Sequence, residues 1–227
     1  MKAEYLLFNL LILAGPLIMS FEKQIRFAGQ WRHAWPAIVL VAIPYIIWDA
    51  LVTGSHWWFN ETYTLDFRLA KLPIEEWLFF FTMPFAALFS WEVIKFYYRR
   101  DRKLRLMRRV RYGLYSLQLA GLIFFANGKE YTGLMLIFLG AAFIIDRVLK
   151  TNLLLRSRFF IYLSVVIGFI FIFNGYLTWR PVVLYGEAYQ LGWRVGTIPI
   201  EDFGYGISLI YLATIFYEKF RRLRSVN

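Results

Sequence analysis

Apolar positions in this 227-residue chain come in long blocks, neither alternating in twos nor confined to one helical stripe. The blocks lie at roughly 3–20, 35–53, 73–97, 111–127, 130–147, 158–178 and 200–219. Each approaches the ~20 helical residues that cross a hydrocarbon layer of ~30 Å. Lipid cannot satisfy exposed backbone groups, so each block must be a helix. The predicted fold is all-α, a polytopic membrane protein with seven transmembrane helices and no room for a soluble domain.

The blocks repeat. Shifted by 126 residues, the chain matches itself without a gap at Leu51/Leu177, Glu61/Glu187, Tyr63/Tyr189, Leu65/Leu191, Arg68/Arg194, Pro73/Pro199, Ile74/Ile200, Glu75/Glu201, Ala87/Ala213 and Glu92/Glu218. The start, MKAEYLLFNLLILAGPLIMS, has the look of a signal peptide, but Glu4 and Tyr5 fall on Glu130 and Tyr131. It is therefore expected to be a retained helix. Two three-helix units in direct succession would face opposite ways, and the extra block at 111–127 restores the direction. The expectation is two parallel three-helix repeats joined by a linker helix and related by an axis along the membrane normal. Residues 1–101 form the first repeat, 102–128 the basic loop and linker helix, and 129–227 the second repeat.

Composition supports this reading, with 59% hydrophobic and 21% aromatic residues and a mean hydropathy of +0.50. A net charge of +11 suggests nucleic acid, yet the basic residues follow topology. Of 26 Lys and Arg, 20 lie in loops 21–34, 98–111 and 147–158, in the tail 219–227, or at Lys95. The other six, Lys2, Arg68, Lys71, Lys129, Arg180 and Arg194, lie on the alternate side. The excess should face the cytoplasm, placing the N-terminus outside and the C-terminus inside a cytoplasmic (inner) membrane. The run RRDRKLRLMRRVR (99–111) is expected to touch anionic lipid, and no nucleic-acid partner is expected. No cysteine and only two histidines leave no thiolate or histidine-rich metal site, so no metal is expected.

The chemistry points to the duplicated Pro-Ile-Glu tripeptide, each copy followed by a second acid. Proline suits the first helical position, which puts Glu75, Glu76, Glu201 and Asp202 in first turns. One acid per helix is explained by the helix dipole, worth ~0.3–1 kcal/mol. Two adjacent acids in both copies are better explained as catalytic carboxyls gathered in a cleft between the repeats. Asp49, within a membrane block in WDALVTG and matched by Gly175, is a candidate supporting acid that breaks the symmetry. Trp77, Phe79, Phe80, Phe203 and Tyr205 follow the acids; each taken singly reads as helix packing, but as a group they could line the substrate and stabilise a cation, by ~2 kcal/mol each at best. Aromatics of the outer loops 54–72 and 179–199 suit the headgroup level, or else cover the cleft. Glu92 and Glu218 read as ion pairs with Lys95 and Arg221, three residues on. Gly204 and Gly206 read as sites of close helix approach.

The segments LPIEEWLFFFTMPFAALFSWEVIKFYY (72–98), IPIEDFGYGISLIYLATIFYE (198–218) and WDALVTG (48–54), with the two-repeat plan, closely resemble the small integral-membrane lycopene cyclases of the heterodimeric or fused-repeat type. Both copies match the family's Pro-x-Glu-(Glu/Asp) motif. The resemblance implies that Glu75, Glu76, Glu201 and Asp202 are the essential acids and lycopene the substrate. The reaction it implies is a redox-neutral cyclisation of the linear end groups to β-type rings. No dinucleotide fingerprint exists, so neither flavin nor nicotinamide is expected. Membrane lipid is the other expected partner, and a homo-oligomer is allowed rather than required. The competing reading is a small-solute transporter of the SWEET or PQ-loop kind, against which stands the absence of a Pro-Gln dipeptide. A rhodopsin lacks its Schiff-base lysine between Ile200 and Tyr217. A hydratase acting on the same cation is distinguished by the mass of its product.

Overall fold

Proline opens two of the helices and glycine closes two others. The computed structural model describes residues 2–224. Residue 1 of the expected first repeat and residues 225–227 of the expected basic tail lie outside the described residues. In chain order the helices and strands are α1 (Glu4–Met19), α2 (Trp31–Val52), β1 (Trp57–Phe59), β2 (Arg68–Leu69), β3 (Leu72–Pro73), α3 (Ile74–Tyr97), α4 (Met107–Leu114), α5 (Leu117–Ala126), α6 (Glu130–Val148), α7 (Ser157–Trp179), β4 (Val183–Tyr185), β5 (Arg194–Val195), β6 (Ile198–Pro199) and α8 (Ile200–Arg224). Gly54 and Gly128, at φ 94° and 80°, turn the chain after α2 and α5 in a conformation that costs other residues more.

Six of the seven apolar blocks fold as expected. The seventh, 111–127, is divided into α4 and α5, with a break at Tyr115–Ser116. The α4 helix carries Arg108, Arg109 and Arg111 and stays with the basic loop, leaving α5 only ten residues, apolar but for Gln118. Among the described residues, four stretches are long and apolar enough to cross a membrane: Phe27–Val52, Ile74–Tyr97, Glu130–Val148 and Ser157–Trp179. The α1 helix is a shorter apolar one. Outward residues such as Leu11, Ile18, Leu51 and Ile172 are exposed, which suits a hydrocarbon surrounding.

The two prolines sit one residue earlier than expected. Pro73 is the N-cap of α3, extended at ψ 149°, and it also pairs with Arg68 across β2–β3. Pro199 pairs with Arg194 across β5–β6 in the same register. An edge strand, like a first helical turn, asks for no proline N–H. The shift leaves the acids in the first turns of α3 and α8.

The helix contacts are reciprocal. The α1 helix packs on α3 as α6 packs on α8. The α2 helix touches α3 and α8, and α7 touches α8 and α3, while α3 and α8 touch each other at the centre. Aromatic rings fill the core, with Tyr45 stacked on Phe138 at 4.4 Å and Phe159 tilted against Tyr211 at 4.5 Å. Interhelical hydrogen bonds such as Tyr45 to Ser208, at 2.6 Å, average only ~0.6 kcal/mol in membranes, so packing carries the association and these bonds set register. A Cβ on Gly133 would lie 2.6 Å from the Phe125 backbone nitrogen, so α5 and α6 meet nearly backbone to backbone. A Cβ on Gly204 would strike Met135 Sδ, consistent with close approach there. At the far ends of α3 and α8, Glu92 and Glu218 form more than local pairs. Lys95 reaches Glu218 at 2.8 Å and Arg221 reaches Glu92 at 2.8 Å, clasping the two helices together.

Candidate active site

The first turns of α3 and α8 bring both acid pairs inward, and all four acids are buried. Within each pair the two acids face different ways, as adjacent helical residues ~100° apart must. Glu75 turns back to the loop before its helix, where its Oε1 accepts the backbone N–H of Leu65 at 2.7 Å. Glu201 does the same for Leu191 at 2.8 Å and also accepts the Thr132 hydroxyl at 2.6 Å. Leu65 and Leu191 are themselves repeat partners, so each first acid holds its own outer loop against its own helix.

The second acids face a common cavity of about 80 Å³. The Tyr5 hydroxyl donates to Glu76 Oε2 at 2.6 Å, and its repeat partner Tyr131 donates to Asp202 Oδ1 at 2.5 Å. Asp49 lines the same space, its Oδ1 accepting the Trp57 indole N–H at 2.6 Å and the Thr53 hydroxyl at 3.2 Å. Here the symmetry ends. Asp202 Oδ2 accepts two further donors, Tyr185 at 2.8 Å and Asn174 at 3.1 Å. Asp49 Oδ2 is buried without a partner. No Lys, Arg or His lines the cavity among the described residues.

Of the expected aromatic lining, Phe79, Phe80 and Tyr205 face the cavity. Trp77 and Phe203 do not line it: the Trp77 indole donates to Leu69 O at 3.0 Å, and Phe203 packs on Phe171 at 5.0 Å. The outer loops divide likewise. Trp57 and Phe59 are buried and, with Val183 and Tyr185 of the paired strand β4, cover the cavity. Trp58 and Trp193 are exposed. Tyr185 is among the loop aromatics that could cover the cleft, but as hydrogen-bond partners of the acids sequence reasoning passed over Tyr5, Tyr131, Tyr185 and Asn174. Tyr5 and Tyr131 carried a signal, an exact match at the repeat spacing beside Glu4 and Glu130. Tyr185 and Asn174 are matched by Phe59 and Trp48 and carried none.

An apolar groove of about 220 Å³ adjoins the cavity and shares Met83 and Ile210 with it. It runs between α1, α3 and α7, past Ile12, Ala86, Val166 and Phe173. Among the described residues no cluster of three or more acids, histidines or cysteines is arranged to hold a metal ion.

The family model described as lycopene cyclase matches the chain twice, over residues 2–94 and 128–220, two stretches of equal length that start 126 residues apart. No curated protein and no solved structure matches it. The two matches together span most of the chain and contain both acid motifs, and the protein belongs to the lycopene cyclase family.

Proposed function

We propose that the protein cyclises the linear end groups of lycopene to β-type rings by acid–base chemistry, with Asp49, Glu76 and Asp202 as the reacting carboxyls. The observation that carries this reading is their convergence on one apolar cavity without a cation. Three ionised carboxylates have no counter-charge there, and burying like charges unpaired is prohibitive, so protons are shared among them. One such proton goes to C2 of the terminal isopropylidene group, leaving a tertiary cation at C1. The C5=C6 bond attacks C1, closing the ring and moving the charge to C5. A carboxylate then takes the proton from C6, so atoms and charge balance and no electrons are exchanged.

The hydrogen bonds suggest a division of labour. Three neutral donors converge on Asp202, an arrangement that suits the base. The Asp49–Glu76 side spreads three donors over two carboxyls and leaves Asp49 Oδ2 unpartnered, which suits the acid. The faces of Phe79, Phe80 and Tyr205 are positioned to shelter the cation, and the cover of Trp57 and Tyr185 keeps out water that would capture it. Glu75 and Glu201 act as positioning residues that hold the loops. The adjoining groove offers the polyene a path in from lipid.

The same reading includes seven membrane crossings, parallel repeats about an axis along the normal, an outer N-terminus and a cytoplasmic C-terminus. It rests on the basic-residue asymmetry and the reciprocal helix contacts. The test is expression in a lycopene-accumulating bacterium, with pigment chromatography and mass analysis. A cyclic product of unchanged mass is expected. Product heavier by one water would indicate a hydratase, and unaltered lycopene would count against both.

A further inference from the structure

A second cavity, of about 590 Å³, lies at the opposite end of α8 from the acids, among α4, the end of α6 and the turn that follows it. Its size falls within the ~300–1,000 Å³ of small-ligand pockets. Its lining is strongly cationic. Lys103, Arg105 and Arg108 come from the basic loop and α4, and Arg147 and Lys150 from the end of α6. Arg111, Arg156 and Arg222 complete it, and among the described residues no acid lines it.

The cavity is built rather than merely charged. Asp146, fully buried, accepts the Thr151 hydroxyl at 2.7 Å and the backbone N–H groups of Leu153 at 2.8 Å and Leu154 at 3.3 Å, which folds the turn 149–155 back beneath α4. With so many donors already on it, Asp146 only grazes Arg111, at 3.4 Å. Arg111 is 3% exposed, donates to Asn152 Oδ1 at 3.0 Å, and leaves its Nε without a partner. A buried, half-satisfied guanidinium is costly unless an anion completes it. Arg222 is tied to the carbonyls of Lys150 and Thr151 at 2.9 and 3.3 Å. Among the described residues, no hydrogen bond or ion pair engages the side chains of Arg105, Arg108, Arg147 or Lys150.

We propose that this cavity is a binding site for a phosphate-bearing polyanion, with Arg111 at its floor and Arg105, Arg108, Arg147 and Lys150 at its rim. Guanidinium forks match phosphate oxygens two at a time. Two sources share that chemistry, an anionic phospholipid headgroup and a soluble polyphosphate. The site is independent of the acid cavity and does not depend on the cyclase reading.

The test uses the full chain purified in detergent. One arm titrates it with inorganic pyrophosphate by calorimetry. The other measures retention of phosphatidylglycerol against phosphatidylcholine by native mass spectrometry. Each is repeated with Arg108→Gln/Arg147→Gln, at the rim, and with Arg99→Gln/Arg100→Gln, which removes the same charge from the basic loop outside the cavity. The rim variant should bind at least roughly tenfold more weakly, with the control pair unchanged. Loss in the pyrophosphate arm assigns a soluble polyphosphate, and loss in the lipid arm a headgroup. Equal loss in both variants reduces the site to general surface attraction, and no loss in either arm removes it; both results overturn the proposal.

Discussion

Trp58 and Leu184, which are 126 residues apart and equivalent in the repeat, face each other directly across the antiparallel pair β1–β4. Trp57 faces Tyr185 and Phe59 faces Val183, so two equivalent strands pair about their own midpoint. An antiparallel pairing of equivalents is a local two-fold axis, and it passes over the acid cavity. A reaction that gives a proton at one carbon and takes one from another needs two unlike groups. The asymmetry comes from Asp49 opposite Gly175, and from Tyr185 and Asn174 opposite Phe59 and Trp48.

That pairing is checkable because the chain has no cysteine. Residues facing each other with both hydrogen bonds exchanged have Cα atoms ~5.5 Å apart, within disulfide range. Trp58→Cys with Leu184→Cys should cross-link on oxidation. After proteolysis in the basic loop, the halves should run together on a non-reducing gel and apart on a reducing one. Separation under both conditions would mean that the loops do not pair.

The acids should separate by role. Glu76→Gln, Asp49→Asn and Asp202→Asn each remove a titrating carboxyl from the cavity and should lower lycopene conversion by ~10²–10⁴. Glu75→Gln keeps an oxygen to accept the Leu65 N–H, and should retain most activity at equal protein levels. Conversion in a calibrated lycopene-accumulating strain, normalised to membrane content, decides it. Equal damage from Glu75→Gln and Glu76→Gln would sink the division proposed.

Filling the apolar groove should block substrate while sparing the fold. Ala86 lines it and is only partly buried, so Ala86→Phe adds bulk toward open space. Lycopene turnover should drop about tenfold or more with the melting temperature within a few degrees of wild type. Undiminished turnover would show that the polyene takes another route.

The outer cover carries a pH dependence. His56 lies outside the helices, stacked on Tyr189 at 3.8 Å, with Nε2 3.0 Å from Glu130. Burial lowers its pKa below the ordinary 6.5, and Glu130 opposes that shift. The folded protein therefore binds the proton less readily than the unfolded chain. Its contribution to stability is complete above pH 6.5 and is lost as the pH falls through the window just beneath. Thermal unfolding between pH 7.5 and 5 should show a steeper loss for wild type than for His56→Gln. Parallel curves would exclude His56 as the group responsible.

The spacing of apolar blocks and the 126-residue self-match were enough to place six of the helices, their order and the two acid motifs. These are local or near-local properties: lipid demands helices of set length, and proline followed by acids marks a helix start wherever it occurs. The sequence also singled out Asp49, because an acid inside an apolar block stands out against its neighbours. It could not say which acid of each adjacent pair faces the shared cavity, since a turn of ~100° is set by how α1 and α6 dock on α3 and α8. Nor could it identify Tyr185 and Asn174 as partners of Asp202, or divide Trp57 from Trp58, because those contacts join segments brought together only when the two halves close. The break in the linker helix had a similar origin: Arg111 leaves the apolar run to meet Asn152, a partner 41 residues away that no local pattern announces.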